Sequence, residues 1–194
     1  MAISNNQVET PTEGTLRVVP TDSAELDCVS LDTPLGWTAV VASSTAVVRL
    51  AFGHASRMDA ENAAWRDLPD RLEALGERLD LDSLADDLLS FAEGEPIDLS
   101  SVPVSRAHLT AFGRSVSAAC QAIGWGERLS YGQLADACGR PRAARAVGSV
   151  MARNLVPLIV PCHRVLGSGG KLGGYSAPDG LEMKRRLLAR ETMF

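Results

Sequence analysis

The residues with the plainest chemical potential sit together late in the chain, in Pro161-Cys162-His163-Arg164-Val165. A cysteine becomes a nucleophile when a nearby base or positive charge favours its thiolate. Cys162 is followed by a base, His163, and then by a cation, Arg164. The apolar run Val156-Pro157-Leu158-Ile159-Val160 ahead of it reads as a buried strand. At a strand end neighbouring side chains point to opposite sides, so a bridging water links Cys162 to His163 better than a direct hydrogen bond. A carboxylate would be needed to orient and charge-balance the imidazole. Taken alone, such a pair is more often a buried cysteine beside a hydrogen-bonded histidine.

The elements that must position this pair are well marked. Ser130-Tyr131-Gly132-Gln133 is a capping box: the serine hydroxyl takes an orphan amide and Gln133 reaches back to the cap. That helix should end at Gly139, and Pro141 suits the first turn of the next, running to about Arg153. Two such helices joined by a tight turn make a helix-turn-helix. On the second, Ala143, Val147, Val150 and Met151 share one face, and Arg142, Arg145, Ser149 and Ala152 the opposite one. Small residues interrupted by arginine suit close approach to DNA, but equally a plain surface helix with solvated arginines. A helix over about 105–122 precedes this pair, with Leu109, Phe112, Val116, Ala119 and Cys120 on one face. Gly167-Ser168-Gly169-Gly170 can turn a hairpin wing, and Leu181, Lys184, Leu187 and Leu188 mark a closing amphipathic helix ending near Glu191.

The first half carries little chemistry. Residues 1–20 read as a flexible tail. Three strands fit at about 26–31, 36–42 and 45–52, followed by helices around Met58–Trp65 and Leu81–Phe91 and a linker from Gly94 to Pro103. The division is therefore a tail over 1–20, an α/β N-terminal domain over 21–103 and a mostly α domain over 104–194. A net charge of −5 hides an asymmetry: residues 1–103 hold 6 Lys/Arg against 19 Asp/Glu, residues 104–194 hold 13 against 5. Polyanion binding needs local positive charge, and the second half supplies it. Four scattered cysteines give neither a disulfide framework nor a zinc cluster, so a cytoplasmic setting with no metal is expected. No apolar run spans a membrane, and the N-terminus lacks a secretory pattern.

In combination these blocks resemble one family. Pro161-Cys162-His163-Arg164-Val165 resembles the active-site signature of the O6-alkylguanine-DNA alkyltransferases, also called methylated-DNA–protein-cysteine methyltransferases. Ser130–Ala135 resembles the first helix of that family's helix-turn-helix, and Ala143–Gly148 its recognition helix. Asn154 stands eight residues before the cysteine, as in the family, and Gly173-Gly174-Tyr175-Ser176 resembles its active-site loop. The likeness covers most of 124–191; the N-terminal half resembles the family loosely, through Asp32–Gly36. Two departures stand out: Leu155 where the family usually has proline, and a longer connection, Ala177–Gly180, before Leu181.

The resemblance implies a ribonuclease-H-like N-terminal domain, with a small three-stranded sheet and helices, followed by a winged helix-turn-helix domain. It implies irreversible transfer of an alkyl group from O6-alkylguanine, and from O4-alkylthymine, in double-stranded DNA to Cys162, without a cofactor. Catalytic roles fall to Cys162, His163, Glu191, Asn154 and Tyr131. Substrate binding falls to Tyr131, Val165, Ser176, Pro157 and Tyr175, and DNA binding to Arg145, Ala144, Ala146, Gly148, Tyr131 and Ser130. The protein is expected to be a monomer in the absence of DNA. Three other readings compete. A lesion binder of this type lacks the cysteine that is present here. A sequence-reading regulator would want base-reading side chains where Ala144, Ala146 and Gly148 stand. A cysteine hydrolase would need an oxyanion hole and would turn over.

Overall fold

Alternation of small and branched apolar residues builds the N-terminal half around one antiparallel sheet. The computed structural model describes residues 17–20, 24–74 and 78–192. Strands β2 (Leu26–Leu31), β3 (Trp37–Ser43) and β4 (Val47–His54) pair antiparallel in that order, close to the expected positions. Period two sends Val40, Leu50 and Phe52 to one face and Ala39, Val41 and Ala51 to the other. The second face is covered by α1 (Arg57–Trp65), whose Ala60 and Ala64 have no bulk to hold it off the sheet. The first face meets α2 (Leu81–Glu93) through Leu84, Leu88 and Phe91. A short antiparallel pair unforeseen in the sequence joins β1 (Arg17–Pro20) to β5 (Arg71–Ala74). The tail expected over 1–20 therefore ends in a strand, and residues 1–16 lie outside the described residues.

The second half is mostly helical: α3 (Ala111–Gln121), α4 (Tyr131–Ala137), α5 (Ala144–Met151) and α6 (Leu181–Arg190). Its only strands among the described residues are β6 (Leu129–Ser130) and β7 (Val165–Leu166), paired in parallel. The capping box at α4 forms as read. Gln133 N donates to Ser130 Oγ at 3.1 Å, and Ser130 N donates to Gln133 Oε1 at 2.8 Å. Gly139 takes φ +67°, as a residue just past a helix end should. One apolar cluster runs from Val40 and Phe91 through Val116, Leu134 and Val147 to Ile159 and Leu187, so the two halves share a core.

Four expectations are corrected. Helix α3 starts at Ala111 rather than near 105: Thr110 caps it by accepting from Gly113 N at 3.1 Å, and 106–109 form a turn. Helix α5 starts only at Ala144, because Arg142 takes φ +77°, and it ends at Met151; Pro141 lies in the connecting turn, not in the helix. Val156–Val160 is no strand. It is a buried loop in which Pro157 offers no amide, Leu158 adopts φ +70° and Val160 N donates to Val156 O at 2.9 Å. The Gly167–Gly170 turn closes, with Gly167 N donating to Lys171 O at 2.7 Å, but no returning strand follows among the described residues. Among those residues no helix is long and apolar enough to cross a membrane.

The α4 cap can be tested directly. Ser130→Ala removes one arm of the capping box and should lower unfolding stability by about 1 kcal/mol in urea denaturation.

Candidate active site

Loop 154–161 holds Cys162 through one side chain, that of Asn154. Asn154 Nδ2 donates to Val160 O at 2.8 Å and to Cys162 Sγ at 3.3 Å, while its Oδ1 accepts from Val156 N at 3.2 Å. One amide thus ties both ends of the loop and touches the sulfur. From outside, Leu50 N of β4 donates to Leu155 O at 2.9 Å. Pro161 then starts a single 3-10 turn, Cys162–Arg164, closed by Arg164 N donating to Pro161 O at 2.8 Å. The extended geometry assumed for Cys162 and His163 is replaced by this turn.

Cys162 is 6% exposed and lines a cavity of about 460 Å³ together with Tyr131, Gly148, Met151, Ala152 and residues 173–176. Tyr131 opens α4 directly after β6, and β7 begins three residues after Cys162. The β6–β7 pairing therefore sets the phenol and the sulfur in one frame. Gly173 passes so near the Tyr131 hydroxyl that a Cβ would stand 2.6 Å from it, so a larger residue there would have to push the phenol aside. Tyr175 backs the cavity with its ring edge-on to Phe52 of β4 at 6.4 Å. Helix α5 borders the cavity with Gly148, Met151 and Ala152 and leaves Arg145 and Ala146 exposed, with Ala144 half-buried.

Behind the sulfur lies a buried polar cluster. His163 Nε2 and Glu191 Oε1 are 2.9 Å apart, and both side chains are almost wholly buried. Nδ1 of His163 is buried and has no hydrogen-bond partner. Burial pushes the His163 pKa down, the hydrogen bond and charge of Glu191 oppose this, and Arg164 and Lys184 add to the lowering. For Glu191 burial acts upward, but the His163 and Arg164 contacts outweigh it and the carboxyl lies below its usual range. Burial raises the Cys162 thiol against the Asn154 hydrogen bond and the Lys184 charge. The net effect lies above the ordinary thiol value and favours the protonated sulfur. Burial likewise raises Tyr131, which keeps its phenol proton available for donation.

The structure thus brings Cys162, Tyr131, Tyr175, Ser176 and Gly148 around one cavity, with Asn154 in contact with the sulfur and His163, paired with Glu191, next to Cys162 in sequence and turn. Pro157 is placed apart, in an adjoining cavity of about 410 Å³ that shares Ala152, Tyr175 and Ser176 as a wall. Val165 is fully buried in β7, where its carbonyl accepts from Lys184 Nζ at 2.7 Å. Ser130 serves as the cap of α4. Two functional neighbours were missed in the sequence. Lys184 was read as part of an amphipathic stripe but is fully buried beneath the site; a lysine among Leu181, Leu187 and Leu188 was the available signal. Arg164 was read only as a flanking cation, yet it bonds Glu191.

Comparison with known proteins places this arrangement. The family model described as "6-O-methylguanine DNA methyltransferase, DNA binding domain" matches residues 111–193. The methylated-DNA–protein-cysteine methyltransferase of Mycolicibacterium paratuberculosis is 50% identical over 80 residues, 41% of this chain and 47% of that protein. The corresponding protein of Methanosarcina acetivorans is 48% identical over 82 residues, 42% of this chain and 51% of its own length. The matched part of the chain thus spans about half the length of these curated relatives. Among solved structures, Mycobacterium tuberculosis OGT in complex with DNA superposes with a TM-score of 0.64 at 31% identity, over 84% of this chain and 91% of that one.

Asn154→Ala removes both loop bonds and the donor to sulfur. Stability should fall by about 1–3 kcal/mol, because the Val160 carbonyl loses its partner. The Cys162 pKa, followed by the pH dependence of its reaction with iodoacetamide, should move up, since the lost hydrogen bond favours the thiolate.

Proposed function

The chain belongs to the methylated-DNA–protein-cysteine methyltransferase family, and from that premise we propose that it repairs DNA by moving an alkyl group from O6-alkylguanine onto its own Cys162. The observation that carries this is the sulfur at the wall of a cavity of about 460 Å³, held by Asn154 with the His163–Glu191 pair behind it. The thiol proton leaves through a bridging water to His163 Nδ1, and Glu191 orients the ring by accepting from its Nε2. The thiolate attacks the alkyl carbon in line; a C–S bond forms, the C–O6 bond breaks, and its electron pair passes to the guanine. The Tyr131 hydroxyl donates a hydrogen bond to a ring nitrogen and the Ser176 amide faces O6, so guanine does not depart as a bare anion. The proton taken up by His163 passes back through water to the leaving base. The main-chain carbonyls of Cys162 and Val165 accept from the exocyclic amine and identify the base, while Pro157 and Tyr175 flank the alkyl group. The product is a thioether, so each molecule acts once. O4-alkylthymine, with a similar oxygen-bound alkyl carbon, is a second substrate.

Reaching a base inside a duplex requires extruding it, at a cost of about a few kcal/mol, least for a poorly paired lesion. Helix α5 docks in the minor groove, where its small outer residues Ala144, Ala146 and Gly148 permit close approach. Arg145 enters the stack in place of the extruded base, and Ser130 and Tyr131 meet the backbone phosphates. Thirteen Lys/Arg in residues 104–194 supply the field for polyanion binding. The domain division at 103/104 and a ribonuclease-H-like N-terminal domain belong to this reading, with the 167–171 turn standing in the position of the wing. The protein acts in the cytoplasm as a monomer until it meets DNA.

Incubation with duplex DNA bearing O6-methylguanine should add one methyl mass to the peptide containing Cys162, read by mass spectrometry. Cys162→Ala should gain none while still binding DNA; an unmodified wild-type sulfur after excess substrate would sink the proposal. Arg145→Ala should slow reaction on duplex DNA at least tenfold more than reaction with free O6-benzylguanine. Equal losses on the two substrates would reject the finger role.

A further inference from the structure

Arg164 has so far had no part in the reaction, yet it is a buried cation held by several partners. It is 6% exposed, and its guanidinium donates to a single oxygen, Glu191 Oε1, from Nε at 2.9 Å and from Nη2 at 2.8 Å. Nη1 donates to Ile123 O at 2.5 Å, and the guanidinium carbon lies 5.9 Å from the centroid of the Trp125 ring. Trp125 in turn meets Phe91 of α2 edge-on at 5.2 Å. The cation is thus fixed from three sides: the loop after α3, an aromatic pair, and the end of α6. The oxygen it grips is the one that His163 Nε2 contacts.

We propose that Arg164 is a positioning residue whose fixed cation holds Glu191 as a carboxylate and keeps His163 a neutral imidazole with Nδ1 bare. The reason lies in counting charge in a dry site. A buried carboxylate with only an imidazole beside it gains by taking up a proton as an imidazolium–carboxylate pair, because that pair is neutral overall. Arg164 cannot lose its proton, so Arg164 and Glu191 already balance, and a further proton on His163 would be an uncompensated buried charge. Glu191 Oε1, ionised and surrounded by donors, can only accept, so Nε2 carries the imidazole hydrogen and the Nδ1 lone pair is left for the thiol proton. The charged groups acting on His163 are Glu191 and Lys184 from α6 and its end, and Arg164 from its own turn; α2 presents only the Phe91 ring, 6.4 Å away. Lys184, fully buried with Nζ on Val165 O, adds a second positive charge and acts in the same direction. During transfer the S–H bond breaks, the proton moves to Nδ1, and the imidazolium is balanced by the thiolate it has just created.

The inference rests on reading Cys162 as the nucleophile, and its test separates the two. In wild-type protein with ¹⁵N-labelled histidine, the His163 resonances should show a neutral ring with hydrogen on Nε2 at pH 7. That state should persist below the pH at which free histidine protonates. An imidazolium, or hydrogen on Nδ1, overturns the proposal whether or not any alkyl group is transferred. The spectrum also decides alone if a variant does not fold. With free O6-benzylguanine as substrate, Arg164→Gln should move the acidic limb of the rate–pH profile upward by about one pH unit. Arg164→Lys, which keeps the charge but not the fork, should leave the limb in place while lowering the rate. A Gln variant that reacts more slowly with its limb unmoved would show that Arg164 is only a brace.

Discussion

A single oxygen atom, Oε1 of Glu191, organises the C-terminal half. Three nitrogen donors from two side chains, Arg164 and His163, converge on it from a turn of three residues, and the carboxylate itself sits one residue beyond α6. An ionised carboxylate in an apolar interior is tolerable only with such partners. The closing helix, the nucleophile's turn and the Ile123–Trp125 loop must therefore assemble together or not at all. Helix α6 needs to be long enough to bring its end to that point, and Lys184, a little under two turns earlier, anchors it to β7.

Much of this was readable without coordinates. The capping box at Ser130, the αL residue at Gly139, the alternating strands around Val40 and the helical stripes at Leu84 and Leu187 are local patterns, and local patterns survive folding. What escaped detection depends on long-range partners. Val156–Val160 looks like a strand by composition, but Asn154 takes both its ends and Leu158 bends it, and neither effect shows in an apolar count. Arg142 carries a positive φ that no arginine advertises, so α5 begins later than its pattern suggested. Arg71–Ala74 is too short to display a period and is a strand only because Arg17–Pro20 lies beside it. In the site, the residues of the motifs were legible. The burial of Arg164 and Lys184 was not, because charged side chains are read as exposed by default.

The acidic first half is more than a counterweight to the basic second half. Its α2 delivers Phe91 against both Trp125 and His163, and the carbonyl of Ala92 accepts from Arg190, the residue before Glu191. Its β4 supplies Phe52 behind Tyr175. The side chains around Cys162 come from residues after 130, but part of the surface they lean on, Phe52, Phe91 and Ala92, comes from the first half. This explains why one apolar cluster crosses the division between the halves.

The sheet itself has an open side to protect. Strand β4, rich in Val, Leu and Phe, is the last of three, and a bare edge of that composition is a template on which other chains can add. Here the edge is occupied: Val47 exchanges backbone bonds with Pro103 and Ser105, and Leu50 donates to Leu155 in the loop that leads to Cys162. The contact that steadies Cys162 thus also seals a sticky margin. Loosening this loop would bare the Leu50 stretch of that margin to strand addition by other chains.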